Sequence, residues 1–278
     1  MSEPREPSFT APPRFQIVRR IGAGGMGVVY EAIDRDRDLH VALKHLAEPS
    51  AATLYLFKRE FHALAGITHP NLVPLYELIS DGQQWFFTME LLDQATDFLT
   101  HVRGDRPPPH FARGTGADPE EATALAAPHA RHRDLPSEAP APVPAPIVDH
   151  AHLRRAFAQL ATGVAALHRA GKLHRYLKPS NAMVRKDGRV VLVDFGLVVE
   201  LRDHVEPGRA PGLASTPDAT DAQIAGSVAY MAPEQAAGEP LSEASDWYAV
   251  GVMLFEALTG RLPIEGPPLV IWNSKQVV

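Results

Sequence analysis

Apolar residues recur along the chain with two different periods, and the switches between them mark out its elements. In residues 52–67, Leu54, Leu56, Phe57, Phe61, Leu64 and Ile67 fall on one broad face of a helix, with Glu60 among them instead of on the polar side. That helix is expected to end at His69-Pro70, because proline disfavours helical geometry in the residue before it. Leu153, Phe157, Leu160, Val164 and Leu167 recur at intervals of four, three, four and three, one face of a second helix stopped by Gly171. Residues 245–260 are apolar almost all round, which predicts a helix buried in the middle of a domain. A short helix through Phe98, Leu99 and Thr100 is also expected.

Strand patterns fill the intervals. Residues 15–18 lead into a glycine-rich run, Gly22-Ala23-Gly24-Gly25-Met26-Gly27, followed by Val28-Val29-Tyr30. β-Branched and aromatic residues after the last glycine favour a strand, so the glycines read as a hairpin turn and not as the opening of a helix. Residues 75–79 and 85–89 read as two strands around the turn Asp81-Gly82. Ala182-Met183-Val184 and Val190-Val191-Leu192-Val193 flank Lys186-Asp187-Gly188, a tight hairpin with Asn181 at one end and Asp194 at the other. Two oxygen ligands at one mouth suit Mg²⁺, which takes few protein ligands together with substrate phosphates.

Composition changes this picture in three places. Residues 1–13 are rich in Pro, Ser and charge and read as a mobile tail, so the fold is expected to start near Phe15. Residues 104–149 are dominated by Pro, Ala, His and charge, and proline this dense sustains neither helix nor sheet; they read as a disordered or polyproline-like insertion. His129 and His132 inside it have the spacing of metal ligands, but no carboxylate or thiol cluster completes a site. Residues 198–225 form a second long irregular stretch.

The net charge of −6 argues against a non-specific nucleic-acid or anionic-membrane binder. With no cysteine, disulfides and thiolate zinc sites are impossible and the chain is compatible with a reducing compartment. Its polar start lacks the layout of a signal peptide, and no apolar run approaches the ~20 residues of a membrane helix. The expected location is cytoplasmic.

Candidate chemistry gathers around a few charges in apolar settings. Lys44, in Val41-Ala42-Leu43-Lys44, is either a strand end at the surface or a buried cation that needs a partner. Glu60 is the natural partner, the alternative being a pairing at the stripe's edge with Lys58 or Arg59. Downstream lie Leu173-His174-Arg175-Tyr176-Leu177-Lys178-Pro179-Ser180-Asn181, Asp194-Phe195-Gly196 and Ala232-Pro233-Glu234.

These motifs, in this order, resemble the protein kinase family, in particular bacterial serine/threonine kinases similar to eukaryotic ones. The resemblance runs from about Phe15 to the C-terminus outside the insertion. It implies an α+β, two-lobed fold: an N-lobe of antiparallel sheet plus one helix (14–92) and a mostly helical C-lobe (93–278) lacking its last helices. It implies ATP and Mg²⁺ as cofactors and a protein as acceptor or partner. Gly22, Gly24 and Gly27 would cover the phosphates; Lys44, held by Glu60, would contact them; Asn181 and Asp194 would hold Mg²⁺. Val29, Ala42 and Met183 would sandwich the adenine, with Met89 behind it and the backbone from Glu90 to Leu92 along its edge. Lys178 is similar to the lysine near the transferred phosphate, and Ser227 stands where the family has a threonine bonded to the catalytic loop.

Two departures stand out. Tyr176 occupies the position of the family's catalytic Asp, so phosphoryl transfer is expected to be impaired; the alternatives are a pseudokinase acting as a nucleotide-dependent interaction module and a partial gene product without activity. Only fifteen residues follow Pro263, where the family continues, so Glu234 is expected to lack its arginine partner and the lower lobe to be less stable. Arg175 would suit a phosphorylated loop, with Ser215, Thr216 and Thr220 as candidates.

Overall fold

The computed structural model describes residues 9–24, 27–47, 49–82, 84–104, 149–195, 199–200 and 227–276. The readings made for residues 105–148, for Gly196 and for residues 201–226, including Ser215, Thr216 and Thr220, lie outside them.

The first lobe is a five-stranded antiparallel sheet ordered β1-β2-β3-β5-β4. Its strands are β1 (Phe15–Gly24), β2 (Gly27–Asp34), β3 (Leu39–His45), β4 (Leu75–Asp81) and β5 (Gln84–Glu90), with α1 (Ala51–Leu64) between β3 and β4. Register decides which side chains share a face, since residues directly opposite point the same way. Val29 pairs with Lys44, Ala42 with Met89 and Lys44 with Phe87, so these side chains line one face. On the other face Ala32, Val41, Leu43 and Phe86 form a core with Phe15. The chain already touches this core at Phe9, whose ring stacks on Tyr30 and meets Phe86 edge-on.

At Gly27, φ is +154° and an added Cβ would lie 2.0 Å from the His45 carbonyl oxygen, so only glycine lets β2 start there against β3. α1 begins with a capping box in which Ser50 and Thr53 each bond the other's backbone N–H. It ends at Leu64, short of the 67 that periodicity suggests. Ala65 leaves helical backbone and Gly66 takes φ +89°, so the glycine stops the helix before the proline can.

The second lobe begins with β6 (Thr96–Asp97), α2 (Phe98–Arg103) and α3 (His150–Arg169), followed by β7 (Lys172–Leu173) and a 3₁₀ turn, Pro179–Asn181. The hairpin β8 (Ala182–Val184) and β9 (Val190–Leu192), then β10 (Val199–Glu200), α4 (Pro233–Ala237), α5 (Glu243–Thr259) and α6 (Pro268–Lys275) complete it. α3 buries Leu153, Leu160, Val164 and Leu167, as the periodicity requires. It packs so closely that a Cβ on Gly163 would lie 3.0 Å from the Asn71 carbonyl oxygen and 3.2 Å from a Leu192 methyl of β9. Asn71 in turn donates to the Val190 carbonyl at 2.7 Å, tying the first lobe to β9.

α5 departs from expectation. Its inner side, including Ala249, Val252, Met253 and Ala257, is buried against α2 and α3. Trp247, Leu254, Phe255 and Leu258 are 38–43% exposed, because among the described residues no element covers the opposite side. α6, which periodicity does not reveal, follows after a loop and packs on α4. Glu234 is not without a partner: its Oε1 accepts from Ser245 Oγ at 2.5 Å.

Candidate active site

The hairpin β8–β9 and strand β3 bring the predicted ligands together from opposite lobes. Lys44 Nζ donates to both Glu60 oxygens, at 2.7 and 3.0 Å, and to Asp194 Oδ1 at 2.8 Å. Three ammonium donors thus meet three carboxylate oxygens, and Lys44 is a buried cation, not an exposed strand end. Glu60 is buried too, so its place in the apolar stripe of α1 is explained by Lys44 and not by a neighbour on its own helix. Burial alone would lower the Lys44 pKa, but the charges of Asp194 and Glu60 outweigh it and hold the ammonium protonated. The Lys44 charge likewise holds the Asp194 carboxylate below its ordinary range.

Asp194 adopts φ +62°, a left-handed backbone uncommon outside glycine, and keeps its side chain 45% exposed toward the cleft. Asn181 is buried and donates through Nδ2 to the Tyr176 carbonyl at 2.8 Å, which leaves its Oδ1 as the acceptor. Its own carbonyl accepts from Val193 N at 2.9 Å, so Asn181 and Asp194 are locked at the same mouth. Among the described residues no three His, Asp or Glu side chains gather into a metal site. An amide oxygen and a carboxylate are a donor set that fits Mg²⁺ only when phosphate oxygens complete it.

The apolar candidates have mixed burial. Ala42 is buried, while Val29, Met89, Leu92 and Met183 are half-buried at the cleft. An added Cβ on Gly22 would meet nothing within 4 Å, so the space beside it is open. Gly24 pairs with Gly27 at the end of the β1–β2 hairpin. Glu90 carries a contact that sequence does not reveal: its carboxylate accepts from Arg185 and, at 3.0 Å, from Arg189, joining the end of β5 to the β8–β9 turn.

On the other side of Asn181, the phenol of Tyr176 hydrogen-bonds Ser227, and the Lys178 ammonium lies 4.9 Å from the Tyr176 ring centre and 3.4 Å from Ser227 Oγ. Burial raises the Tyr176 pKa above its ordinary value, and the Asp194 charge raises it further, so the phenol stays neutral. Burial also lowers the Lys178 pKa. A small cleft opens here, lined by Arg175, Tyr176, Lys178, Ser227, Met231 and Gln235 among others.

Asp246 of α5, hidden in sequence by the apolar run around it, fixes this loop. It is buried and accepts from His174 N at 2.8 Å, Arg175 N at 2.7 Å and His168 Nε2 at 2.8 Å. Two consecutive backbone donors on one carboxylate hold Arg175 at φ +66°. The signal was a carboxylate in an apolar helix, the same argument that picks out Glu60. The His174 ring is fully buried against Phe195, centroids 4.9 Å apart, and burial lowers its pKa.

Comparison with known proteins gives one consistent result. The family model for protein tyrosine and serine/threonine kinases matches residues 15–269. The chain is 29% identical over 260 residues to the serine/threonine-protein kinase PrkC of Bacillus subtilis, covering 92% of this chain and 32% of that protein. It is 31% identical over 256 residues to the serine/threonine-protein kinase PknL of Mycobacterium tuberculosis, covering 91% of this chain and 51% of the relative. With PknD of Protochlamydia amoebophila it shares 30% identity over 262 residues, 90% of this chain and 23% of the relative. The chain therefore spans between about a quarter and a half of the length of these relatives.

Proposed function

The chain belongs to the protein kinase family, alongside bacterial serine/threonine kinases, and from that premise we propose that it binds Mg-ATP and that its transfer of phosphoryl groups to protein serine or threonine is impaired at Tyr176. The observation that carries the first half is Lys44, held by Glu60 of α1 and reaching Asp194 of the opposite lobe. A phosphate oxygen would replace Asp194 at Lys44, freeing that carboxylate to hold Mg²⁺ together with Asn181 Oδ1. Bound Mg-ATP would supply the γ-phosphoryl group and its charge neutralisation. Val29 and Ala42 share their sheet face with Lys44, which supports their place against the adenine with Met183, Met89 and the 90–92 backbone. Gly22, Gly24 and Gly27 leave room for backbone N–H groups to approach phosphates.

The second half rests on Tyr176. The residue at this position should accept the hydroxyl proton and orient the acceptor, and a neutral, bulky phenol bonded to Ser227 does neither. The same substitution favours one second reading, a nucleotide-dependent interaction module whose output is a protein contact. Restoring the carboxylate with Tyr176→Asp and measuring radiolabel transfer to a generic basic protein separates the two. If the wild type and the variant transfer equally, Tyr176 is not the defect. Among the described residues no helix is long and apolar enough to cross a membrane.

A further inference from the structure

α6 ends in a lysine that neither the nucleotide site nor the catalytic loop uses. Lys275 is 1% exposed, and its ammonium group donates to the backbone carbonyls of Ala229 at 2.7 Å and Met231 at 2.5 Å. It also lies 5.0 Å from the ring centre of Tyr248 on α5. Burying an ammonium group is unfavourable, and a methionine would fill similar space without that penalty. What a methionine would not supply is the pair of donors.

Those two carbonyls belong to the segment 227–231, which joins the cleft to α4. Its own turns are weak, with Tyr230 N to the Ser227 carbonyl and Met231 N to the Val228 carbonyl both at 3.3 Å. Ser227, Tyr230 and Met231 form the wall of the cleft facing Tyr176 and Lys178. The wall is held at Tyr230 by a 2.5 Å hydrogen bond from its hydroxyl to Glu256 of α5, and beyond it Gln276 Nε2 donates to the Ala236 carbonyl at 2.9 Å. On either side of Tyr230 the backbone carbonyls are held by Lys275.

We propose that Lys275 is a positioning residue: from the end of α6 its ammonium group sets the 227–231 backbone as the wall against which the polypeptide acceptor docks beside Lys178. The assignment of that wall to an acceptor rests on the kinase reading, whereas the anchoring of the wall does not. Burial brings the Lys275 pKa down to about 8, so the ammonium form prevails at neutral pH, with three donors for two carbonyls and the ring.

The experiment is hydrogen exchange by mass spectrometry on the whole chain and on Lys275→Met, with Mg-ATP thermal shifts measured on both. In the variant, amides of 227–232 should exchange at least about tenfold faster, while the five-stranded sheet keeps its protection and the Mg-ATP shift is unchanged. Acceleration spread evenly over both lobes, or none at all, overturns the proposal. Selective ¹⁵N-lysine NMR of the wild type keeps the test decisive if the variant does not fold. In cold, mildly acidic buffer two ammonium groups should show protected Nζ hydrogens, those of Lys44 and Lys275, the second recognised by its nuclear Overhauser contacts with the Tyr248 ring, and the absence of that second signal overturns it. A wild type without any Mg-ATP shift would sink the kinase reading, and the local exchange at 227–232 would still report on the anchor.

Discussion

Two lysines act on Asp194 and keep different company. Lys44 is saturated by carboxylates, two oxygens from Glu60 and one from Asp194, all within 3.0 Å. Lys178 has a hydroxyl at 3.4 Å and the face of an aromatic ring at 4.9 Å. Lys44 is buried and Lys178 half-buried, yet the pKa of the first is raised and that of the second lowered. The difference lies in formal charge: Lys44 bonds carboxylates directly, while Lys178 feels the Asp194 charge without a bond to it and has as neighbour Tyr176, which in the proposed function stands where a carboxylate would. Under the proposed function, such a site keeps affinity for Mg-ATP without keeping turnover, because the two depend on different neighbours.

The largest effect should come from making the two sides alike. Tyr176→Asp puts a carboxylate beside Lys178 and should raise phosphoryl transfer by ~10²–10⁴-fold, measured as initial rates of radiolabel incorporation at saturating Mg-ATP. Next comes the converse change. Lys44→Met leaves Glu60 buried opposite Asp194 without a cation and should lower folding stability by ~3–5 kcal/mol while abolishing the Mg-ATP shift. Urea unfolding that moves by less than ~1 kcal/mol would mean the cluster is looser than its distances suggest.

Acid probes the loop between the two lysines. Buried His174 titrates below its ordinary value when folded and near pH 6.5 when unfolded, so below pH 6.5 the unfolded state holds the extra proton. Stability should therefore fall as pH drops, by at most ~1.4 kcal/mol per pH unit for this residue. His174→Phe, which keeps a ring beside Phe195, should flatten that slope; an unchanged slope would assign it to His45, His69 and His101, whose pKa values are lowered in the same direction. The smallest effect belongs to the tie between lobes. Glu90→Gln removes the charge shared by Arg185 and Arg189 and should weaken Mg-ATP binding or stability by no more than ~1 kcal/mol, because these groups are partly exposed.

Much of this comparison could be read from the amino-acid sequence. Glu60 in an apolar stripe called for a cation, and of the candidates that sequence left open, Lys44, Lys58 and Arg59, the partner is Lys44. The hairpin that delivers Asn181 and Asp194 was visible in its turn residues. Asp246 carried the same signal as Glu60 but was absorbed into an apolar helix, and its partners are backbone N–H groups, which have no sequence signature. Glu90 with Arg185 and Arg189 was hidden for a different reason: their attraction depends on how two lobes meet, which local pattern does not encode. The exposed stripe of α5 misled in the opposite direction, since an all-round apolar helix announces what it needs to bury and not what covers it. α6 is short and set among prolines and irregular chain, so no period betrays it.

The central claim, that the nucleotide side is intact while the acceptor side is altered, is tested most directly by calorimetric titration of Mg-ATP into the wild-type chain and the Tyr176→Asp variant side by side. The account predicts saturable, Mg²⁺-dependent binding by both, with dissociation constants within about threefold of each other, a difference under ~1 kcal/mol. No binding by the wild type, with binding restored only in the variant, would contradict it.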